Sequence, residues 1–225
     1  MTLQRILVVD DERQILRALK VILREAGYEV AEATTVEEAL DLASVRPPDA
    51  AIIDLMLPDG SGVELSRRLR EWTQMPILVL SAVGEEDAKV EALEAGADDY
   101  VTKPFGTREL VARLGAALRR VGEAPGEPAV EVDGLRVDLN DRAVQRDGEE
   151  VHLTPIEFDL LRALVRHRGR LMTHRALLIE VWGPQYADDT QVLRAHIANL
   201  RRKIEPTGER RYIRTEPGIG YRFAA

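Results

Sequence analysis

The sequence predicts two domains: an α/β domain with a doubly wound, five-stranded parallel sheet, and a second domain of the winged helix-turn-helix type. Three observations lead to this prediction. Over the first 120 residues, five short apolar runs alternate with five amphipathic segments, a pattern typical of a parallel sheet covered by helices on both faces. A glycine- and proline-rich stretch ends that alternation. Turn signals, three helical segments and a terminal hairpin signal follow it.

The first domain is predicted to span residues 1–121, with strands and helices in strict alternation. Because crossovers between parallel strands are right-handed, this alternation favours a doubly wound sheet. The apolar runs that predict strands are residues 6–9, 28–30, 50–53, 77–80 and 100–101, and the amphipathic segments that predict helices lie near residues 12–26, 34–45, 62–73, 85–95 and 106–120.

The second domain is predicted to span residues 130–225, after a linker at residues 122–129 that contains two glycines and two prolines. Its first part carries hairpin turn signals at Asp133-Gly134, Asn140-Asp141 and Asp147-Gly148. Helices are expected to begin at Thr154, where Pro155 and Glu157 complete a capping signal, near Thr173 and near Asp189, and a hairpin is expected over Arg211–Phe223 around the turn Glu216-Pro217-Gly218.

The net charge of −8 argues against a nucleic-acid partner only if the chain is taken as a whole. Residues 1–121 have a net charge of −7 and residues 122–189 one of −6, whereas residues 190–225 carry eight basic and three acidic side chains. A DNA-binding surface is therefore expected in that last segment. The chain contains no cysteine, which excludes disulfides and thiolate metal sites and favours a cytoplasmic location. Neither a secretory signal nor a membrane span is expected.

Polar residues follow the predicted strands of the first domain at the points where those strands end. Asp10 and Asp11 follow the first strand, Asp54 the third, Ser81 the fourth and Lys103 the fifth. The carboxyl ends of parallel strands meet at one edge of the sheet, so these side chains are expected to converge there. Carboxylates that lie this close repel one another unless a cation neutralises them. Because Mg²⁺ prefers oxygen ligands, the sequence predicts a magnesium site.

A carboxylate in such a site can attack phosphorus. Asp54 is the candidate nucleophile, and its attack would form an aspartyl phosphate. Phosphoryl transfer depends mainly on positioning and on neutralising charge, so Lys103 is expected to pair with the phosphoryl oxygens and Ser81 to donate a hydrogen bond to one of them. Each of these residues alone is commonplace after a strand, as a helix cap or in a solvated turn. Their combination favours a phosphorylation site.

Four motifs resemble the receiver domains of two-component response regulators: ILVVDDE, IIDLMLPDGSG, LVLSA and GADDYVTKPF. The second domain resembles the OmpR/PhoB subfamily, so the resemblance covers essentially the whole chain. It implies a flavodoxin-like receiver that promotes only its own phosphorylation and dephosphorylation and is otherwise not an enzyme. It also implies that a sensor histidine kinase phosphorylates Asp54, that Mg²⁺ is bound by Asp10, Asp11, Asp54 and the backbone carbonyl of Met56, and that Ser81 and Tyr100 form a switch pair beside Lys103.

The same resemblance implies a homodimer, formed through the face that the fourth helix, fifth strand and fifth helix build. Without the resemblance, the charges of this face would be interpreted as a solvated surface. Promoter DNA and RNA polymerase are the other expected partners, and no membrane partner is expected. The residues expected at the dimer interface are Lys89, Val90, Leu93, Asp98, Asp99, Glu109 and Arg113.

The helix predicted at residues 189–204 has an apolar stripe of Leu193, Ile197, Leu200 and Ile204, which lie within about 60° of one another at 100° per residue. The opposite side carries side chains that suit base edges and phosphates, together with the small residue Ala195. The residues expected to contact DNA are Gln191, Arg194, Ala198, Asn199, Arg202, Arg201, Lys203 and Arg214, with Arg201 and Lys203 at phosphates; Arg210, Arg211 and Arg222 add charge to the hairpin, whose tip carries Pro217.

Two further readings of the sequence stay open at this point. A haloacid-dehalogenase-type phosphatase also forms an aspartyl phosphate on a doubly wound sheet, but its nucleophile and a second Asp two residues later follow the first strand. A phosphorylation-independent DNA-binding regulator usually lacks one of the pocket residues, and all are present here. The segments TPIEFDLL, EVWGPQ and TEPGIGYRF most resemble regulators of a potassium-uptake operon, and another OmpR/PhoB-type regulon is the alternative.

The resemblance also bears on how long a phosphoryl group would persist. The side chains that orient the hydrolytic water lie two residues after the acceptor and two after the switch hydroxyl. In this sequence these are Met56 and Val83, which are both apolar. Slow autodephosphorylation is therefore expected, with the signal ended mainly by the kinase acting as a phosphatase.

Overall fold

The structure is a computed structural model that describes residues 3–82, 86–120, 129–205 and 212–224. The chain divides into two compact units, Met1–Val121 and Gly122–Ala225. Most of the predicted linker lies outside the described residues, as do Val83, Arg210 and Arg211.

The first unit contains a five-stranded sheet in the order β2-β1-β3-β6-β7, and all of its neighbouring strands are parallel. The doubly wound α/β prediction is therefore confirmed. In chain order the elements are β1 (Arg5–Val9), α1 (Arg13–Glu25), β2 (Glu29–Ala33), α2 (Val36–Val45), β3 (Ala50–Asp54), β4 (Met56–Leu57), β5 (Gly60–Ser61), α3 (Gly62–Arg70), β6 (Ile77–Ala82), α4 (Glu86–Glu94), β7 (Asp99–Lys103) and α5 (Thr107–Arg120).

Burial explains why the central strands read as continuous apolar runs. Every residue of β1 and β3 is buried, as expected for strands that helices cover on both faces. Helix α1 buries Leu16, Leu19 and Leu23 against this sheet, at the spacing that places residues on one helix face. The sheet therefore rigidly supports the residues at the carboxyl ends of its strands.

The sequence did not predict the antiparallel pair of β4 and β5, which follows β3 directly. This pair holds the loop between Asp54 and α3. Asp59 lies in the turn between β4 and β5. Its side chain accepts hydrogen bonds from the backbone N–H groups of Val36 (2.8 Å) and Glu37 (3.1 Å), at the start of α2. These hydrogen bonds lower the pKa of Asp59 below its ordinary value. The loop is thus tied to the neighbouring helix.

The second unit begins with a four-stranded antiparallel sheet and continues with three helices and a three-stranded sheet in the order β12-β14-β13. This agrees with the winged helix-turn-helix prediction. Its elements are β8 (Val130–Val132), β9 (Leu135–Asp138), β10 (Ala143–Arg146), β11 (Glu149–Glu150), α6 (Pro155–Arg166), β12 (Leu171–Thr173), α7 (His174–Val181), a 3₁₀ turn (Pro184–Tyr186), α8 (Thr190–Ile204), β13 (Ile213–Glu216) and β14 (Gly220–Phe223).

Local sequence signals set these boundaries. Asp133-Gly134 and Asp147-Gly148 have positive φ at both residues, as tight hairpin turns require. The Thr154 side chain and the Glu157 side chain each accept a backbone hydrogen bond from the other residue at the start of α6, a capping box that contributes about 1 kcal/mol. Helix α6 ends at Arg166.

Strand β12 was not predicted. It pairs with β14, and a Cβ atom at Gly220 would lie 1.9 Å from the carbonyl oxygen of Met172. Only glycine permits this approach of the two strands. The terminal hairpin is therefore joined to the start of α7 through β12.

Among the described residues, no helix has both the length and the apolar character that crossing a membrane would require.

Candidate functional site

The parallel sheet brings three carboxyl groups together at its carboxyl edge. Val9 on β1 is in register with Ile53 on β3. The next residues, Asp10 and Asp54, therefore lie at the same level of the sheet. Asp10, Asp11 and Asp54 each place a carboxylate oxygen within 4.8 Å of the others. Asp10 is fully buried, Asp54 is nearly so, and Asp11 is exposed. These three residues and Lys103 are called the acidic pocket below.

Lys103 connects two of the carboxylates. Its Nζ atom is 2.8 Å from Oδ2 of Asp10 and 2.7 Å from Oδ1 of Asp54. Burial acts to lower the pKa of Lys103, but its hydrogen bonds to Asp10 and Asp54 outweigh that effect and raise it. Lys103 is therefore a fixed positive charge in the pocket.

The carboxyl group of Asp54 has a raised pKa. Burial raises its pKa above the ordinary value and Asp10 adds to that rise, although Lys103 and the backbone N–H of Met56 oppose it. The Met56 N–H donates to Oδ2 of Asp54 at 3.3 Å. Three carboxyl groups face one ammonium in this pocket, and such a charge balance suits a further cation.

A glycine allows the pocket to form. A Cβ atom at Gly62 would lie 2.1 Å from the backbone oxygen of Asp54 and 3.0 Å from Cγ2 of Ile53. No other residue could stand at this position without moving α3 away from the end of β3. The sequence motif that ends in Gly62 thus has a direct structural reason.

Ser81 lies beside the pocket at the end of β6. It is in register with Thr102 on β7, one residue before Lys103, and it is 1% exposed. Its Oγ makes no hydrogen bond with any described residue. A buried hydroxyl normally has a partner, so this one suits an oxygen atom of a bound group.

Tyr100, the other member of the predicted switch pair, is half-buried on β7. The Nζ atom of Lys89 lies 5.0 Å from the centroid of its ring, a cation–π contact. Lys89 itself is buried. The structure thus pairs Tyr100 with α4.

Two residues of the predicted dimer face, Leu93 and Asp98, are buried in the free chain. Leu93 is completely buried and packs inside the domain. Asp98 is 1% exposed and is used internally, because it accepts from the Arg70 guanidinium at 2.6 Å and from the Ile77 backbone N–H at 2.7 Å. Both residues therefore pack inside the receiver in the free chain, and their part in a dimer stays a prediction.

The remaining residues of that face form an ion-pair cluster. Arg113 lies 3.3 Å from Asp99 and 3.0 Å from Glu109. Asp99 is buried, Glu109 is exposed and Val90 is half-buried. Together with Lys89, these residues connect α4, β7 and α5.

Helix α8 buries a wider face than its apolar stripe predicts. It packs against both α6 and α7, and the stripe residues are all buried. Ala195 and Asn199, which were expected to face DNA, are also buried, at 8% and 4% exposure. The Asn199 side chain accepts a hydrogen bond from Arg202, so Asn199 positions that arginine in the free chain, and its own contact with DNA stays a prediction.

Two cations expected at DNA phosphates are used inside the domain. Arg201 donates to the Ile213 carbonyl and the Thr215 hydroxyl, each at 2.8 Å, and so joins α8 to the hairpin. Lys203 lies 2.6 Å from the carboxylate of Glu157, which is 2% exposed. The prediction that Arg201 and Lys203 contact DNA phosphates stays a prediction, and these internal contacts compete with it.

The exposed face of α8 is narrower than predicted and strongly polar. Arg194, Ala198 and Arg202 are exposed along one side, with Gln191 half-buried. Arg214 is exposed on the adjacent hairpin, whereas Arg222 lies 3.5 Å from Glu216. The tip at Pro217 is exposed and carries no charge.

One residue that was not predicted as functional, His174, lies near Arg194 of this surface. It is the first residue of α7, and its ring centroid is 5.4 Å from that of Tyr221 on β14. The signal available was a histidine directly after the helix cap Thr173, but the contact with β14 depends on the unpredicted strand β12.

Comparison with known proteins agrees with both halves of this description. The response regulator receiver domain matches residues 6–115, and the C-terminal domain of transcriptional regulatory proteins matches residues 148–223. The chain is 50% identical over 223 residues to the transcriptional regulatory protein KdpE of Mycobacterium tuberculosis, which covers 98% of this chain and 99% of that protein. It is 49% identical to the KDP operon transcriptional regulatory protein KdpE of Escherichia coli strain K12, covering 97% and 98%.

Solved structures of full-length regulators are similar as well. A RitR mutant has a TM-score of 0.79 at 26% identity and covers 98% of both chains. The response regulator DrrB of Thermotoga maritima, an OmpR/PhoB homologue, has a TM-score of 0.54 at 30% identity and covers 100% of both chains.

A receiver domain followed by a DNA-binding domain defines a two-component response regulator, a phosphorylation-dependent regulator of transcription. The chain belongs to the response regulators of the OmpR/PhoB type and is similar to KdpE. A sensor kinase and DNA are the partners that this family implies.

Proposed function

We propose that Asp54 accepts a phosphoryl group from a phosphohistidine of the sensor kinase. An oxygen of the Asp54 carboxylate attacks phosphorus, the P–O bond forms, and the P–N bond breaks with its electron pair returning to the histidine nitrogen. The observation that carries this proposal is the position of the Lys103 ammonium between Asp54 and Asp10, 2.7 and 2.8 Å away. It would pair with the phosphoryl oxygens as the transferred charge reaches Asp54.

The acidic pocket also fits a magnesium ion. Asp10, Asp11, Asp54 and the backbone carbonyl of Met56 are the proposed ligands, all of them oxygen donors of the kind Mg²⁺ prefers. The clustering of three carboxylates within 4.8 Å supports the site. The ion would neutralise the carboxylates and the incoming phosphoryl oxygens. Asp10, held by the backbone N–H of Glu12 at 2.9 Å, orients the buried side of the pocket.

Ser81 and Tyr100 are proposed to sense the phosphoryl group. The buried Ser81 hydroxyl has no partner among the described residues and would donate to a phosphoryl oxygen. If Ser81 moved toward that oxygen, the end of β6 would shift with it. This shift would reach α4 and β7, where Lys89 lies against Tyr100. We propose that this change favours a homodimer through Lys89, Val90, Asp99, Glu109 and Arg113, with RNA polymerase as a further partner at the promoter.

DNA reading is assigned to the exposed side of α8. Gln191, Arg194 and Arg202 can donate to base edges, since Arg suits guanine and Gln suits adenine, and Ala198 permits close approach to the groove. Arg214 is proposed to contact a phosphate. The exposure of these residues in the second unit supports the assignment.

The target genes are proposed from the relatives. The regulator from Escherichia coli controls the KDP operon according to its name, so we propose that the operon regulated here is of the same kind, a potassium-uptake operon. Another OmpR/PhoB-type regulon is the alternative, since a phosphate regulon regulator is 37% identical over 224 residues. Footprinting across the organism's own genome separates the two.

The acceptor is tested by labelling with acetyl phosphate and Mg²⁺, followed by intact mass measurement. Wild type is expected to gain one acid-labile phosphoryl group, and Asp54→Asn to gain none. Asp59→Asn is the matched control, because Asp59 is a carboxylate on the next loop that caps α2; it should be labelled like wild type. Labelling of folded Asp54→Asn would refute the assignment.

A further inference from the structure

His174 lies where three elements of the second unit meet. It is the first residue of α7, and its backbone N–H donates to the carbonyl of Ile219, in the hairpin turn, at 2.9 Å. Its ring is tilted by 57° against that of Tyr221, with 5.4 Å between centroids. The imidazole is half-buried, so one part packs on the hairpin and the rest faces solvent.

Cations from α8 lie beside this pair of rings. The charge of Arg194, which is exposed on the proposed DNA-reading face, acts directly on His174. The guanidinium of Arg201 is 5.7 Å from the Tyr221 ring centroid. Arg175 pairs with Asp188 at 3.0 Å on the α7 side, and Arg222 with Glu216 at 3.5 Å on the hairpin. Glu180, also on α7, lies 3.3 Å from His167, and Arg214 is exposed on the hairpin.

The free protein disfavours a charged imidazole at this position. Burial, and then the positive charge of Arg194, lower the pKa of His174 below its ordinary value of 6.5. The positive end of the α7 dipole acts in the same direction. His174 is therefore mostly neutral near pH 7 in the absence of DNA.

We propose that His174 contacts a DNA phosphate and takes up a proton from solvent when the duplex binds. This rests on the proposed function, in which the exposed face of α8 lies against DNA. A phosphate in this place would lie beside the positive charge of Arg194 and the positive N-terminal end of the α7 dipole. The proton adds to the free ring nitrogen, and the resulting imidazolium N–H donates to a phosphate oxygen.

The sign of the effect follows from linkage. The bound phosphate stabilises the imidazolium, so the pKa of His174 is higher in the complex than in the free protein. Between those two pKa values, binding takes up a proton and the affinity rises as the pH falls. Below the free-protein pKa both states are protonated and the affinity no longer changes. The affinity for DNA changes by at most about tenfold per pH unit.

The test uses the full-length chain and a random-sequence duplex, because a phosphate contact is independent of sequence. Affinity is measured by fluorescence anisotropy at constant low salt, between about pH 7.5 and about pH 6. Wild type is expected to bind about three- to tenfold more tightly at the lower pH, relative to His174→Asn. His152→Asn is the matched control, since His152 is largely exposed and lies near Glu150; it should behave like wild type.

A second variant, His174→Lys, carries a permanent charge. It should bind as tightly at the higher pH as wild type does at the lower pH, without the added pH dependence. A His174→Asn protein with the wild-type pH dependence would overturn the proposal, as would a His174 pKa, measured by NMR, that does not rise on adding DNA. If the wild-type chain binds no duplex at any pH, the proposed function itself fails as well.

Discussion

The Lys103 ammonium and the Asp54 carboxylate form an ion pair of 2.7 Å at the carboxyl edge of the sheet, and the same ammonium reaches Asp10 at 2.8 Å. Two carboxylates on separate strands thus share one cation. The nucleophile of the proposed reaction is held in place before any phosphodonor arrives, and the group that would neutralise the transferred charge is already beside it.

Lys103→Ala should lower the rate of phosphorylation by acetyl phosphate by about 100-fold, because one preorganised donor to the transferring group is lost. The rate is measured from the intact mass over time. Lys20→Ala is the control, since Lys20 pairs with Glu32 away from the pocket. A Lys103→Ala protein that is phosphorylated as fast as the control would contradict the role assigned to Lys103.

Mg²⁺ should stabilise the wild-type chain, because it binds the folded acidic pocket. At a concentration about 100 times Kd, the gain in unfolding free energy is about 2.7 kcal/mol. Asp11→Asn should lose most of this gain and, without Mg²⁺, should be at least as stable as wild type, since one repelling carboxylate is removed. Asp11 is exposed, so the variant is expected to fold.

Thermal unfolding with and without Mg²⁺ measures both effects, with Ca²⁺-free buffer and EDTA as the reference. An equal Mg²⁺ gain in wild type and Asp11→Asn would show that the ion binds elsewhere.

Lys203→Ala should act on stability rather than on DNA affinity. Lys203 is 2.6 Å from Glu157, a buried carboxylate that also accepts the Thr154 N–H at 2.8 Å. Removing the ammonium leaves that charge uncompensated, and about 1–3 kcal/mol of unfolding free energy should be lost, discounted for the partly exposed lysine. Urea unfolding provides the measurement.

Arg202→Ala supplies the contrast, because Arg202 is exposed on α8. It should leave stability nearly unchanged and weaken binding to a specific site by about 1–3 kcal/mol. If Lys203→Ala instead is as stable as wild type and lowers the salt dependence of DNA binding by about one counterion, Lys203 is a phosphate contact after all.

The phosphoryl group on Asp54 should be lost slowly. Met56, two residues after the acceptor, is 69% exposed and apolar, so it cannot orient a hydrolytic water by a hydrogen bond. Met56→Glu should therefore shorten the half-life of the phosphorylated protein several-fold, whereas Met56→Leu should not. The half-life is followed by mass spectrometry after removal of the donor. Equal half-lives in the two variants would argue that water positioning at this residue is not limiting.

The acidic pocket could be predicted from the sequence because it depends on strand ends alone. In a parallel sheet every strand ends at the same edge, so Asp10, Asp54, Ser81 and Lys103 needed only the right order of strands to be brought together. The loop geometry could not be predicted in the same way. The β4–β5 pair is two residues long on each side, too short to leave an alternating pattern.

The sequence could not show the burial of several residues expected at the surface, because a second or third neighbour covers them. One helix taken alone shows a single apolar stripe, but α8 packs against two helices, and this buries Ala195 and Asn199. Likewise, the sequence around Asp98 is typical of a surface charge. In the fold, however, its carboxylate pairs with Arg70, which lies 28 residues earlier in the chain. Such pairings depend on tertiary packing, which residue spacing does not encode.

The central claim is that a phosphoryl group on Asp54 controls DNA binding. The most direct measurement is the affinity of the full-length chain for its own promoter duplex with and without acetyl phosphate and Mg²⁺, in wild type and in Asp54→Asn. Wild type should bind the duplex more tightly after phosphorylation, and Asp54→Asn should show one unchanged affinity under both conditions. An equal gain in affinity for Asp54→Asn, or none for fully phosphorylated wild type, would contradict the account.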